Sequence, residues 1–388
     1  MRFERCTAWV LTVVLTTALP CARAADTDVA SRYVGEAWQT GGAPERGSAW
    51  LDLIEASITL RGLRIFGFEG TTGKLAVQRN TGRAITQSIG ASAPLSSIEA
   101  PSAVRVSEAW LELTTADLIS GSVKFGVMDL NDDFDTSALG GLFANSTFGL
   151  QIDFAQSGLA GPATYPTQAL GVRGRVQRGG FRLQAAVFDG VPGTLQDSSR
   201  PSLRLSSGEG ALAVVEVGGE SANSRWYVGA WRYSTNLPPL RATLDASTRS
   251  ERGSAGFYAL AERNLWSADD GRELRTAVRV GHADQKFNSI RDTVQLALRF
   301  DRPWHHEGES FGVAWSSQRQ GGPARSVSEA RGVSLVDHES VFEITYRRAI
   351  GSRLVLRPDL QYFVHPGAVR SRSGAWAVGL GIEIDLSP

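Results

Sequence analysis

Residues spaced for covalent chemistry are few in this chain. Gly308-Glu309-Ser310-Phe311-Gly312 matches the G-x-S-x-G spacing of a nucleophilic serine on a strand-to-helix elbow. A strand pattern continues through Val313, Ala314, Trp315 and Ser316 where the elbow needs a helix, so the match is chance. The histidines His282, His305, His306, His338 and His365 lack the H-E-x-x-H spacing of a zinc helix. Asp129, Asn131, Asp132, Asp133 and Asp135 form an acidic cluster of hard oxygen ligands that could hold calcium. The cluster lacks the glycine and the distant glutamate of an EF-hand loop, and hydrogen bonds that pin a loop are the favoured reading. No phosphate-binding glycine loop is present. The chain is therefore not read as an enzyme, and no catalytic residue, metal or cofactor is assigned.

The remaining chemistry lies in charges spaced two apart. Glu108, Trp110 and Glu112 alternate with Ala109, Leu111 and Leu113. Arg173 and Arg175 flank Gly174, opposite in parity to Leu170, Val172 and Val176. Arg182, Arg275, Arg279, Arg299 and Arg357 repeat the arrangement. Successive side chains of a strand point to opposite faces, so each of these segments carries one apolar and one charged face.

Such segments recur along most of the chain. Candidate strands fall near 31–40, 49–60, 62–70, 104–114, 121–129, 167–177, 180–189, 211–219, 224–233, 254–265, 272–283, 291–301, 309–318, 337–347, 353–364 and 374–386, sixteen in all. The clearest are Val294, Leu296, Leu298 and Phe300, and Trp376, Val378, Leu380, Ile382 and Ile384. Arg, Asp and Glu stand beside Gly and Ala on the polar face, which suits a watery bore better than the core of a sandwich. The expected fold is all-β, a transmembrane antiparallel barrel of about 16 strands that encloses an aqueous channel. Tight turns such as Gln177-Arg178-Gly179-Gly180 alternate with longer stretches at 71–103, 130–166, 190–210 and 234–253. The longest, 130–166, is the candidate for a loop folded inward to constrict the channel.

Composition narrows the classes further. Lys+Arg and Asp+Glu both number 40, and a balanced charge without a basic block excludes nucleic acid as a partner. Residues 1–24 read as a cleaved export signal: Arg2 and Arg5 precede an apolar run, and Ala22-Arg23-Ala24 is the cleavage box. Both cysteines, Cys6 and Cys21, lie inside it, so the exported chain, 25–388, has no disulfide.

Six stretches in order resemble the OprB-type carbohydrate-selective porins of Gram-negative outer membranes. They are Ile98-Glu99-Ala100-Pro101, Lys124 to Asp135, Leu142 to Gly149, Ala169 to Arg173, Ala186 to Gly193 and Arg357 to Gly367. The resemblance implies an outer-membrane channel for passive diffusion of monosaccharides such as glucose. The runner-up is a general or anion-preferring porin, motivated by the excess of Arg over Lys. A sugar path needs donors and acceptors for hydroxyls and an aromatic plate for the C–H face. Glu108, Trp110, Asp129, Arg173, Arg175, Arg279, Arg299 and Arg357 are the candidate lumen residues. The competing register at Glu108 would bury both glutamates in hydrocarbon. Expected partners are small sugars, outer-membrane lipids and the barrel-assembly machinery. Trimers are common among general porins, and a homotrimer is expected by that analogy. The aromatic last residue usual in such barrels is replaced here by Asp385-Leu386-Ser387-Pro388.

Overall fold

The computed structural model describes residues 26–42, 44–65, 68–115, 119–193, 208–245 and 247–388. The signal reading at 1–24, with both cysteines, and most of the 190–210 stretch lie outside the described residues.

Sixteen antiparallel strands close into one barrel. In chain order they are β1 (Asp26–Gly42), β2 (Gly47–Ile65), β3 (Phe68–Thr81), β4 (Ala103–Thr115), β5 (Ser120–Met128), β6 (Ala169–Arg178), β7 (Phe181–Asp189) and β8 (Ala211–Glu220). They continue as β9 (Ser224–Tyr233), β10 (Ala255–Ser267), β11 (Glu273–Ala283), β12 (Ile290–Asp301), β13 (Glu309–Gln320), β14 (His338–Ile350), β15 (Leu354–Val364) and β16 (Gly374–Asp385). Each strand pairs with its sequence neighbours, and β1 closes on β16 from Arg32 opposite Asp385 to Gly42 opposite Ala375. Closure leaves no strand edge, as hydrocarbon requires.

The apolar rows face outward as their period of two dictates. Val294, Leu296 and Leu298 are 39%, 46% and 46% exposed, whereas Gln295 between them is 2% exposed. One end of the barrel carries tight turns and both ends of the described chain. The other carries the long connections, with the short helices α1 (Thr86–Ile89) and α2 (Ile152–Ala155) and the longer α3 (Gly322–Ala330).

One stretch departs from expectation. Residues 62–70 do not form a strand of their own. Their described part divides between β2, which ends at Ile65, and its antiparallel partner β3, which begins at Phe68 and runs on to Thr81 through what reads as loop. Its outward face offers little beyond Leu75 and Val77, so alternation is faint there, and the expected 71–103 loop shrinks to 82–102.

Candidate functional site

Two long connections, 82–102 and 129–168, pack against inward-facing wall side chains. Ile85, Ile89, Leu95 and Ile98 of the first meet Leu139, Leu142, Phe143 and Phe148 of the second, together with Trp38, Leu51, Val341 and Phe363 of the wall. Deeper in the second segment, Phe134 and Phe154 join Phe188, Tyr227, Trp231, Tyr233 and Tyr258 of β7–β10. Phe154 stacks on Trp231 with ring centroids 4.9 Å apart. Over this arc the inner wall is thus aromatic rather than charged and small. Two inward glycines seat the segment. A Cβ at Gly312 would stand 2.7 Å from Leu142 Cδ2, and one at Gly281 would stand 2.6 Å from the Asp153 carboxylate.

The local sequence turns the chain inward. At the end of β5, Asp129 accepts from the Asn131 amide at 2.8 Å, which starts a tight helical turn over Leu130–Asp132. Asn145 caps the Ser146–Phe148 turn in the same way through the Thr147 amide at 3.1 Å.

Charge then fastens the segment to the wall. Asp133 receives Lys124 at 3.1 Å, Arg173 at 3.3 Å and Arg175 at 2.5 Å. Burial opposes ionisation of Asp133, but these three cations outweigh it and hold its carboxyl below the usual range. Asp135 pairs with Arg279 at 2.8 Å, and the Tyr227 hydroxyl donates to it at 3.1 Å. Glu343 of β14 accepts from the amides of Ala144 at 2.5 Å and Asn145 at 3.1 Å.

Between the two inserted segments and the β1–β4 and β15–β16 wall lies a cavity of about 420 Å³. Five carboxyl side chains reach it, Glu55, Glu108, Asp129, Asp132 and Glu383, against three cations, Arg32, Lys74 and Arg357. Gln78, Ser97, Ser107, Tyr165 and Gln168 supply neutral hydrogen-bonding groups and one aromatic ring. The Tyr165 hydroxyl donates to the Ile98 carbonyl at 2.8 Å and so ties one inserted segment to the other. Confinement within the barrel, reinforced by the carboxylates of Asp129 and Glu108, pushes the Asp132 carboxyl up to about 7.

Of the residues expected to line a path, Glu108, Asp129 and Arg357 reach this cavity. Glu108 accepts from Lys74 Nζ at 2.5 Å and from Trp110 Nε1 at 2.6 Å. Trp110 shares the inward face, but Lys124 Nζ stands 4.4 Å over its ring. Arg173, Arg175 and Arg279 are engaged with Asp133 and Asp135. Arg299 lies nearer the short-turn end and pairs with Asp301 at 2.8 Å. Arg357 also pairs with Glu36, which receives Trp38 Nε1 at 2.8 Å and Ser96 Oγ at 2.6 Å. Lys74, Gln78, Tyr165 and Gln168 were not singled out from sequence. Lys74 was reachable in principle, because its even spacing with Ala76, Gln78 and Asn80 continues a strand parity. Ser310 lies within β13, where its hydroxyl donates to Asp301 at 2.5 Å.

The comparisons agree with this architecture. A solved high-pH structure of OprB from Pseudomonas putida superposes with a TM-score of 0.84 at 18% identity, covering 93% of this chain and 94% of that one. OmpT of Vibrio cholerae, as a loop-deletion variant, covers 92% of this chain and 99% of its own at 10% identity, with a TM-score of 0.52. A Rh. blastica porin variant covers 93% and 100% at 10% identity, with a TM-score of 0.51. No curated protein sequence is a significant match. The profile described as "Carbohydrate-selective porin, OprB family" matches residues 54–386. The chain is an outer-membrane sugar porin and belongs to the OprB family.

Proposed function

We propose that the channel passes monosaccharides down their gradient, in preference to disaccharides and to anions, through the cavity between the two inserted segments. The observation that carries this reading is the lining itself, five carboxyls to three cations with neutral amides and hydroxyls interleaved. Glu108, Asp129 and Asp132 accept from sugar hydroxyls, Lys74 and Arg357 donate, and the Tyr165 ring meets a C–H face. The volume sits at the low end of the roughly 300–1,000 Å³ typical of small-molecule sites, which suits one ring better than two. Affinity stays weak because a tight site would stop flow. Trp110 braces Glu108, and Arg173, Arg175 and Arg279 hold the constricting loop. Of the inward arginines that favoured an anion path, Arg173, Arg175 and Arg279 meet carboxylates of the loop, and Arg182, Arg275, Arg299 and Arg357 meet carboxylates of the wall.

Liposome swelling with glucose, maltose and gluconate tests the proposal. Glucose should enter fastest, maltose much more slowly and gluconate most slowly. Maltose entering as fast as glucose, or gluconate entering faster, overturns it.

A further inference from the structure

One arc of the lipid-facing surface breaks the apolar pattern. At the long-loop ends of β10 to β14, cross-strand partners run Phe257, His282, Asp292, Arg319 and His338 in an unbroken row. These side chains face outward, since the alternate positions Thr293, Gln318 and Glu339 are each about 1% exposed on the inner wall. Arg291 joins the row at a bulge beside Asp292. Asp292 is occupied by Arg291 at 2.7 Å and His282 at 2.7 Å. Arg319 has no ion-pair partner among the described residues. At the opposite ends of the same strands the outward row is Trp266, Leu274, Phe300, Phe311 and Tyr346. The arc is therefore aromatic on the short-turn side and cationic on the long-loop side, with Val280, Val294 and Leu296 in the belt between.

A guanidinium on the lipid face is expensive unless an anion meets it. Long connections of such barrels face the cell exterior, so the row sits at the headgroups of the outer leaflet. Phosphate fits the planar fork of arginine and attracts basic groups at a membrane surface.

We propose that this rim binds an outer-leaflet lipid whose headgroup carries phosphate monoesters with net negative charge. Arg319 and Arg291 take the phosphate, His282 and His338 hydrogen-bond beside it, and the acyl chains lie along Val280, Val294 and Leu296. Asp292 orients Arg291 and His282. Continuity with the apolar belt favours a lipid over a soluble anion, which has no use for Val294 or Leu296.

Native mass spectrometry of the whole barrel in detergent tests this, with diphosphorylated lipid A, phosphatidylcholine and inorganic pyrophosphate as separate probes. The barrel should retain lipid A and release phosphatidylcholine. Arg291→Gln with Arg319→Gln should weaken lipid A retention about five-fold for each arginine removed. Arg263→Gln, on an exposed outward position toward the short-turn end, should leave retention unchanged. Heat-dependent gel mobility checks that each variant is folded, and unchanged glucose entry keeps the result separate from the sugar path. Equal retention by the double variant overturns the proposal. So does an equal loss in Arg263→Gln, or pyrophosphate binding alone with the same dependence on both arginines.

Discussion

The strongest test of how the inserted 129–168 segment is held is Asp135→Asn. Asp135 is fully buried and its partner Arg279 is 3% exposed. The substitution keeps the size of the side chain and removes its charge. Arg279 then retains only neutral acceptors, the carbonyls of Asp135 at 2.8 Å and Phe148 at 2.8 Å and the Gln295 amide oxygen at 3.3 Å. Stripping one partner from a buried pair costs about 3–5 kcal/mol, because the surviving charge is uncompensated. At about 1.4 kcal/mol per decade, the undocked population of the 129–168 segment should rise by roughly 10²–10⁴. A protease added outside proteoliposomes reads that population, since cleavage follows the open fraction when opening is fast. Asp135→Asn should speed cleavage within 129–168 by a comparable factor and admit maltose. Asp135→Asn with Arg279→Gln removes both charges and should recover most of the protection. A single variant as protected as the parent refutes the reasoning, and so does a double variant as labile as the single one.

Three further outcomes are expected. Asp132 projects into the cavity with its carboxyl raised to about 7, so it is neutral below that pH and charged above it. The preference for cations over anions in bilayer recordings should therefore grow as pH rises through 7, and Asp132→Asn should flatten that part of the profile. Trp110→Phe keeps the ring under Lys124 but deletes the hydrogen bond to Glu108, which at roughly 1.5–3 kcal/mol should weaken glucose block of the current at least ten-fold without changing assembly. On unheated detergent gels the barrel should migrate anomalously and shift only after heating, because a closed ladder has no edge from which to fray.

The outward rows were legible because lipid admits little but apolar side chains. A period of two in Val294, Leu296 and Leu298, or in Trp376, Val378 and Leu380, leaves one interpretation of facing once the segments repeat. Parity also set the inward arginines correctly. It could not name their partners. Asp133 meets Arg173 and Arg175 across 40 and 42 positions, and Asp135 meets Arg279 across 144. Nothing local encodes such a pairing. β3 was lost for a different reason: a strand whose inward face is Lys74, Gln78 and Asn80 and whose outward face is mostly Leu75 and Val77 barely alternates. With it went Lys74, the partner of Glu108. Tyr165 and Gln168 sit where the chain has no period at all.

The inner wall is the instructive failure. Gly and Ala beside Arg, Asp and Glu on the polar faces read as the lining of a watery bore, yet Gly281 and Gly312 lie under the inserted segment. Once a loop occupies that space, the rules of a protein interior replace those of a pore. Apolar side chains such as Phe148 and Phe154 need apolar neighbours there, each worth about 1.5–3 kcal/mol when buried. Glycine becomes a seat for a bulky group, and a carboxylate such as Asp135 must find its cation or a set of donors. The channel's free chemistry is then what remains uncovered, on the side of β1 to β4 and β15 to β16. The same composition thus serves two ends around one ring of strands. Over most of the wall it anchors the loop, and over the rest it faces the solute, with the division set by where 129–168 lies rather than by any residue's own type.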